Sequence, residues 1–312
     1  MPPTASFRIA RSRASPCYGQ DAQYGWDVSH TVANRYTSST ATPTEPLVTD
    51  NVTGLVWQGC LAGRSGNDCT TGTTSTLAWQ AARDYCADLV WGSASDWHLP
   101  DEHELLSVID FGNPADTATF PATGSATFWT SSAYSVNWAF QLGPNGLATN
   151  DKSTARAVRC VRHGQVAGSA DRFVRDMSSS LDRVITDTWT GLVWQGCSLG
   201  TGGSNCSIGT IGVRNWSFAL AYCEGLVWGS HADWRLPNVK ELFSLVDTRR
   251  QPQTIDGSAF PSIAGTYLTS TTATYSMQED IGDAWNVDLE TSFVTHQLKS
   301  EALHVMCVRT GP

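Results

Sequence analysis

No run of apolar residues in this 312-residue chain approaches the roughly 20 that a membrane-crossing helix requires, and no such span is expected in it. Charge is also scarce. Asp, Glu, Lys and Arg make up 16% of the residues, and 29 acids against 20 bases leave a net charge of −9. A nucleic-acid partner selects for a basic face, so this balance argues against one, and it argues equally against a polyanionic glycan. The signatures of common catalytic sites are missing: there is no G-x-S-x-G elbow, no Walker loop and no G-x-G-x-x-G. No C-x₂₋₄-C pair is present to start a Cys₄ zinc site. The N-terminal stretch "MPPTASFRIARSRASPC" carries arginines but no apolar h-region, so no secretory signal is visible in it.

What the chain does have, it has twice. "VTDNVTGLVWQGC" (48–60) returns as "ITDTWTGLVWQGC" (185–197), and "AWQAARDYCADLVWGSASDWHLP" (78–100) returns as "NWSFALAYCEGLVWGSHADWRLP" (215–237). Cys60 and Cys197 are 137 residues apart, as are Pro100 and Pro237. The spacing widens later: "VRCVR" (158–162) matches "VMCVR" (305–309), so the second copy carries about ten extra residues, mostly around "TATYSMQEDIGDAW". The expected organisation is an N-terminal arm (1–46), a first repeat (47–165) and a second repeat (172–312), each repeat long enough to bury its own core. The junction falls in the Gly/Ala/Ser-rich "HGQVAGSADR".

The nine cysteines divide as one plus four plus four. Cys60, Cys69, Cys86 and Cys160 correspond to Cys197, Cys206, Cys223 and Cys307, and each set of four allows three pairings. The favoured one joins Cys60 to Cys69 across a Gly/Ser/Asn-rich loop and Cys86 to Cys160 between a helix and the last strand. The counterparts are Cys197–Cys206 and Cys223–Cys307. Disulfides imply an oxidising compartment: extracellular, cell-surface or periplasmic. Cys17 is left over.

The local patterns read as α+β. Residues 76–89 place Ala78, Ala82, Tyr85/Cys86 and Leu89 on one helical stripe. "DWHLPDEHELL" (96–106) returns as "DWRLPNVKELF" (233–243), and what persists is a helix start: Asp101 or Asn238 with Glu104 or Glu241 three residues on, a capping box. His98 and His103 are five apart with Pro100 between them, which misses the H-E-x-x-H spacing of a zinc helix. The seven histidines (His30, His98, His103, His163, His231, His296 and His304) share no position between the copies. Short strand-like pieces follow the second helix, and the first and last strands of each copy are expected to pair.

"TDNVTGLVWQ", "AxxYCxxL", "DWRLPNxxEL", "FWTSS" and a terminal "RCVR" together resemble the family named for the C-terminal domain of a Legionella collagen-like adhesin. The resemblance covers 47–162 and 181–309, most of the chain. It implies two tandem C-type lectin-like domains, each with two helices and a small, mainly antiparallel twisted sheet stapled by a helix-to-terminal-strand disulfide. It also implies a surface-exposed binding protein for a glycan or cell-surface ligand, met by loops of the strand-rich half. A structural subunit of a surface layer or appendage, or a retroelement-diversified receptor for a protein ligand, is the alternative. The chain departs from the sugar-binding C-type lectins in lacking Glu-Pro-Asn followed by Trp-Asn-Asp; "AWNVDL" (284–289) is a loose echo.

Tryptophans repeated in both copies (Trp57/Trp194, Trp79/Trp216, Trp91/Trp228, Trp97/Trp234) read as core. Positions that differ between copies are the better candidates for a binding surface, since loops carry function on a rigid scaffold. In copy one these are Tyr134, Asn137, Trp138 and Asn145. In copy two they are Tyr275, Gln278, Glu279, Asp280, Asp283, Trp285 and Asp288. The acidic residues of this second set, with Gly282, offer oxygen ligands of the kind Ca²⁺ takes, although their spacing fits no EF-hand and a solvated acidic loop is the favoured reading.

Overall fold

The computed structural model describes residues 36–51, 54–108, 120, 126–144, 146–162, 172–176, 178–188, 190–247, 254–261, 263, 265–273 and 282–311. The described residues fall into two compact units, 36–162 and 172–311. Each holds one copy of the repeat.

In the first unit the order is β1 (Tyr36–Ser39), β2 (Leu47–Asp50), β3 (Val56–Gln58), β4 (Arg64–Ser65), β5 (Thr71–Gly72), β6 (Thr76–Leu77), α1 (Trp79–Ala87), α2 (Glu102–Val108), β7 (Phe128–Ala133), β8 (Trp138–Gly143), β9 (Gly146–Asp151), β10 (Arg156–Ala157) and β11 (Val161–Arg162). The second unit repeats it as β12 (Phe173–Asp176), β13 (Val184–Asp187), β14 (Leu192–Gln195), β15 (Thr201–Gly202), β16 (Ile208–Gly209), β17 (Val213–Arg214), α3 (Trp216–Glu224), α4 (Val239–Phe243), β18 (Thr266–Thr272), β19 (Asp283–Asp288), β20 (Val294–Leu298), β21 (Leu303–His304) and β22 (Val308–Thr310).

The α+β plan with two helices per repeat is present. The small single sheet expected for each repeat is not. Within the first repeat the strands sort into a terminal sheet β1-β2-β3-β11, a run β9-β8-β7-β10-β6 and a ribbon β4-β5. The second repeat matches it with β12-β13-β14-β22, β17-β21-β18-β19-β20 and β15-β16. The sheet grows because β9 and β20 each add a full antiparallel strand. Residues 36–39, part of the expected arm, pair with β2.

The repeated motifs mark where distant segments meet. Gln58 is fully buried; its side chain donates to the Tyr85 hydroxyl (3.1 Å) and accepts from the Cys160 backbone (3.2 Å). Gln195 does the same with Tyr222 (3.1 Å) and Cys307 (3.2 Å). One amide thus ties the early hairpin to the helix and the last strand, which leaves no buried polar atom of that side chain unpaired. The glycine after it is needed for a close approach, since a Cβ on Gly59 would sit 2.6 Å from the Pro46 carbonyl.

Beside this knot lie the disulfides Cys86–Cys160 and Cys223–Cys307, and Cys60–Cys69 and Cys197–Cys206 close the ribbons. Trp79, Ala82 and Cys86 form the buried stripe of α1, one residue on from the expected Ala78. Three of the four repeated tryptophan pairs use their indole N–H groups inside the fold: Trp79 and Trp216 donate to Thr130 and Thr269 carbonyls, Trp91 and Trp228 to those of Pro46 and Arg183, and Trp97 and Trp234 to those of Trp91 and Trp228. A buried indole that keeps such a partner stabilises the core without a desolvation cost.

Candidate functional site

The β7–β8 hairpin of the first repeat ends in a three-residue tip, Ser135-Val136-Asn137. Tyr134 and Ser135 both donate their backbone N–H to the Trp138 carbonyl (2.9 Å each), and the Trp138 N–H donates to the Ser135 hydroxyl (3.1 Å). Tyr134 and Trp138 therefore close the ladder opposite each other, and opposed residues leave an antiparallel pair on one face. Phe140, two residues further along β8, shares that face; it is fully buried, and the Tyr134 ring packs edge-on against it at 5.6 Å. The result is an aromatic pair seated on the core and open above. Tyr134 is 43% exposed, Trp138 44% and Val136 89%.

Every carbonyl of the tip is claimed by one residue. The Lys152 ammonium donates to the carbonyls of Ser135 (2.8 Å) and Val136 (3.2 Å), and the Lys152 backbone N–H donates to that of Asn137 (2.8 Å). Of the expected copy-one residues, Tyr134, Asn137 and Trp138 come together here. Asn145 lies outside the described residues. Sequence reasoning missed Val136 and Lys152. The chain has three lysines, and Lys152 and Lys299 occupy matching places before the last strand, which was the available signal for Lys152; Val136 gave none.

The second repeat does not reproduce this arrangement. Tyr275, Gln278, Glu279 and Asp280 lie outside the described residues. Trp285, expected at the surface, is corrected to core: it is 1% exposed. The register explains why. Tyr267 pairs with His304 and with Val287, as Phe128 pairs with Ala157 and Leu142. Trp285 consequently stands where Phe140 does, and Asp283 where Trp138 does. Asp283 accepts from the His296 imidazole Nδ1 at 2.9 Å. Asp288 is engaged in a turn, accepting from the backbone N–H groups of Glu290 (3.0 Å) and Thr291 (2.8 Å) and from the Thr266 hydroxyl (2.9 Å). Among the described residues no group of three or more His, Cys, Asp or Glu side chains is placed to hold a metal ion.

The "DWHLPDEHELL" stretch is helix architecture. Asp101 and Glu104 exchange the two bonds of a capping box (2.8 and 2.9 Å), as do Asn238 and Glu241. His98 adds an ion pair, its Nε2 lying 3.1 Å from both Glu104 carboxylate oxygens. That hydrogen bond raises the imidazole pKa above its ordinary value against the opposing effect of partial burial, with smaller Coulombic help from Glu104, Asp101 and Asp96. In the second repeat Arg235 takes this place, with both guanidinium branches on Glu241 (2.8 and 2.7 Å).

No described helix is long and apolar enough to cross a membrane. A family model described as the Lcl C-terminal domain matches residues 46–162 and again residues 183–309. No curated protein matches the chain.

Proposed function

The chain belongs to the Lcl C-terminal domain family, a family of non-catalytic bacterial adhesin domains, in two tandem copies, and we propose that it is a secreted or cell-surface protein that binds a glycan or a cell-surface protein. The observation that carries this reading is the tip of the first repeat. Tyr134 and Trp138 are large aromatics left open to solvent on a hairpin whose three tip carbonyls all accept hydrogen bonds from Lys152, and rigid amphipathic rings give contact area at low entropic cost. Sugar rings present C–H faces that stack on such a platform, and Asn137 beside it offers amide hydrogen bonds. A net charge of −9 favours a neutral ligand over a polyanion.

A C-type lectin-like arrangement of each repeat fits this reading. Its supports are the pairing of early and final strands, as in β3 with β11, and the disulfide from helix to terminal segment. Four disulfides favour an oxidising exterior. The repeat boundaries proposed are 47–165 and 172–312, with the acidic residues of 278–288 in the second repeat as a separate candidate contact region.

The test is binding of the full chain to a broad glycan panel, with calcium and again with chelator, for the wild-type protein and for Trp138→Ala and Tyr134→Ala. Saturable binding that both substitutions abolish, and that chelator leaves intact, is the expected result. Binding that survives both substitutions would remove the tip from the site. Absence of any glycan binding would shift the reading to a protein ligand or to an assembly role, the latter favoured by Phe218, which is exposed on α3 where the first repeat has Ala81.

A further inference from the structure

Lys152 sits where three parts of the first repeat meet. Its carbonyl accepts from the backbone N–H of Trp79, the first residue of α1, at 2.9 Å. Its ammonium lies 4.3 Å from the centre of the Trp79 ring, a cation–π distance. The same ammonium and the Lys152 N–H together take all three tip carbonyls, those of Ser135, Val136 and Asn137.

The second repeat shares much of this arrangement. Lys299 accepts from the Trp216 N–H (3.1 Å), places its ammonium 4.1 Å from the Trp216 ring and donates its backbone N–H to the Gly282 carbonyl. The ammonium also donates to the side-chain hydroxyl of Thr272 (3.1 Å) on β18. The lysine on tryptophan is thus common to both repeats and belongs to the packing of helix on sheet.

We propose that Lys152 is the positioning residue of the first-repeat site: by binding the Ser135 and Val136 carbonyls it holds the tip, and with it Tyr134 and Trp138, in one conformation before any ligand arrives. The physical reason is the cost of ordering a loop on binding, which a pre-organised site avoids. A short loop with an 89% exposed valine at its apex has little burial of its own to keep it still. This inference rests on the tip being the binding site, but its first readout does not.

Lys152→Met keeps the aliphatic stem on Trp79 and removes the ammonium, while Arg83, 4.9 Å from the same ring, still covers it. Lys299→Met is the matched control, losing the same kind of cation–π contact in the other repeat. In the full chain, hydrogen exchange of the Tyr134 and Ser135 amides is expected to quicken by about tenfold or more in Lys152→Met and to stay unchanged in Lys299→Met. Binding of a panel glycan retained by the wild-type protein is expected to weaken by about tenfold in Lys152→Met alone. Unchanged tip exchange in Lys152→Met, or equal acceleration in both variants, would overturn the proposal, whether or not a glycan binds. Retention of glycan binding by Trp138→Ala would instead count against the site itself and leave the exchange result to decide the role of Lys152.

Discussion

Replacement of an arginine by a histidine at matching places in two otherwise parallel ion pairs makes the stability of one repeat depend on pH. Arg235 is buried and holds Glu241 with two hydrogen bonds of 2.7 and 2.8 Å. The His98–Glu104 contact is an ion pair only when the imidazole is protonated, and the groups around it are Asp96, Asp101 and Glu104, with Arg162 on Asp96 at 2.8 Å. Its folded pKa is raised, so its contribution is fully present below the unfolded value of about 6.5 and is lost as pH rises through the folded value. The imidazole is 46% exposed. Solvent screening therefore keeps the contribution to about 0.2–1 kcal/mol, or at most about 4 °C in the unfolding midpoint of a domain this size.

The expected outcome is a selective loss. Between about pH 5.5 and about pH 8.5 the exchange protection of α2 amides should fall by more than that of α4 amides in the same full-length chain, by up to about fivefold. His98→Arg should abolish that difference. If His98→Arg leaves the pH dependence of α2 unchanged, the assignment of the effect to the His98–Glu104 pair is wrong.

Two further outcomes follow from burial and chain connectivity. Cys86–Cys160 spans 74 residues and Cys60–Cys69 spans 9; on the chain-entropy estimate, Cys→Ala replacement of the long pair should cost about 4.5 kcal/mol and of the short pair about 2.7 kcal/mol. Urea titration of the two double variants checks the order, and a larger loss from the short pair would show that local packing outweighs loop closure. Trp285→Ala should destabilise the chain by about 3–5 kcal/mol, whereas Trp138→Ala should change stability by under about 1 kcal/mol. Thermal unfolding of both variants, with equal losses as the refuting result, separates core from surface at these two positions.

What the sequence determined by itself was whatever depends on neighbours along the chain or on internal repetition. The capping boxes at Asp101 and Asn238 are legible because both partners lie within one helical turn. The stripe of α1 follows from the 3.6-residue period, and the twofold occurrence of "LVWQGC" and "YC" marks core and cystine positions because both copies keep them. The candidate surface was legible in its first half, since Tyr134, Asn137 and Trp138 are close in sequence and differ from the second copy.

Strand register was decided only in three dimensions. Trp285 and Trp138 both stand on the second strand of a hairpin with the same face parity, and alternation cannot tell a residue at the tip from one two places inward. The register sets Trp285 two places inward from the tip, level with the buried Phe140, and so buries it. The role of Lys152 is equally non-local: its ammonium reaches carbonyls 16 and 17 residues back in the chain. Backbone acceptors carry no side-chain identity, so no pattern of residues could announce that contact before the fold brought the tip to the lysine.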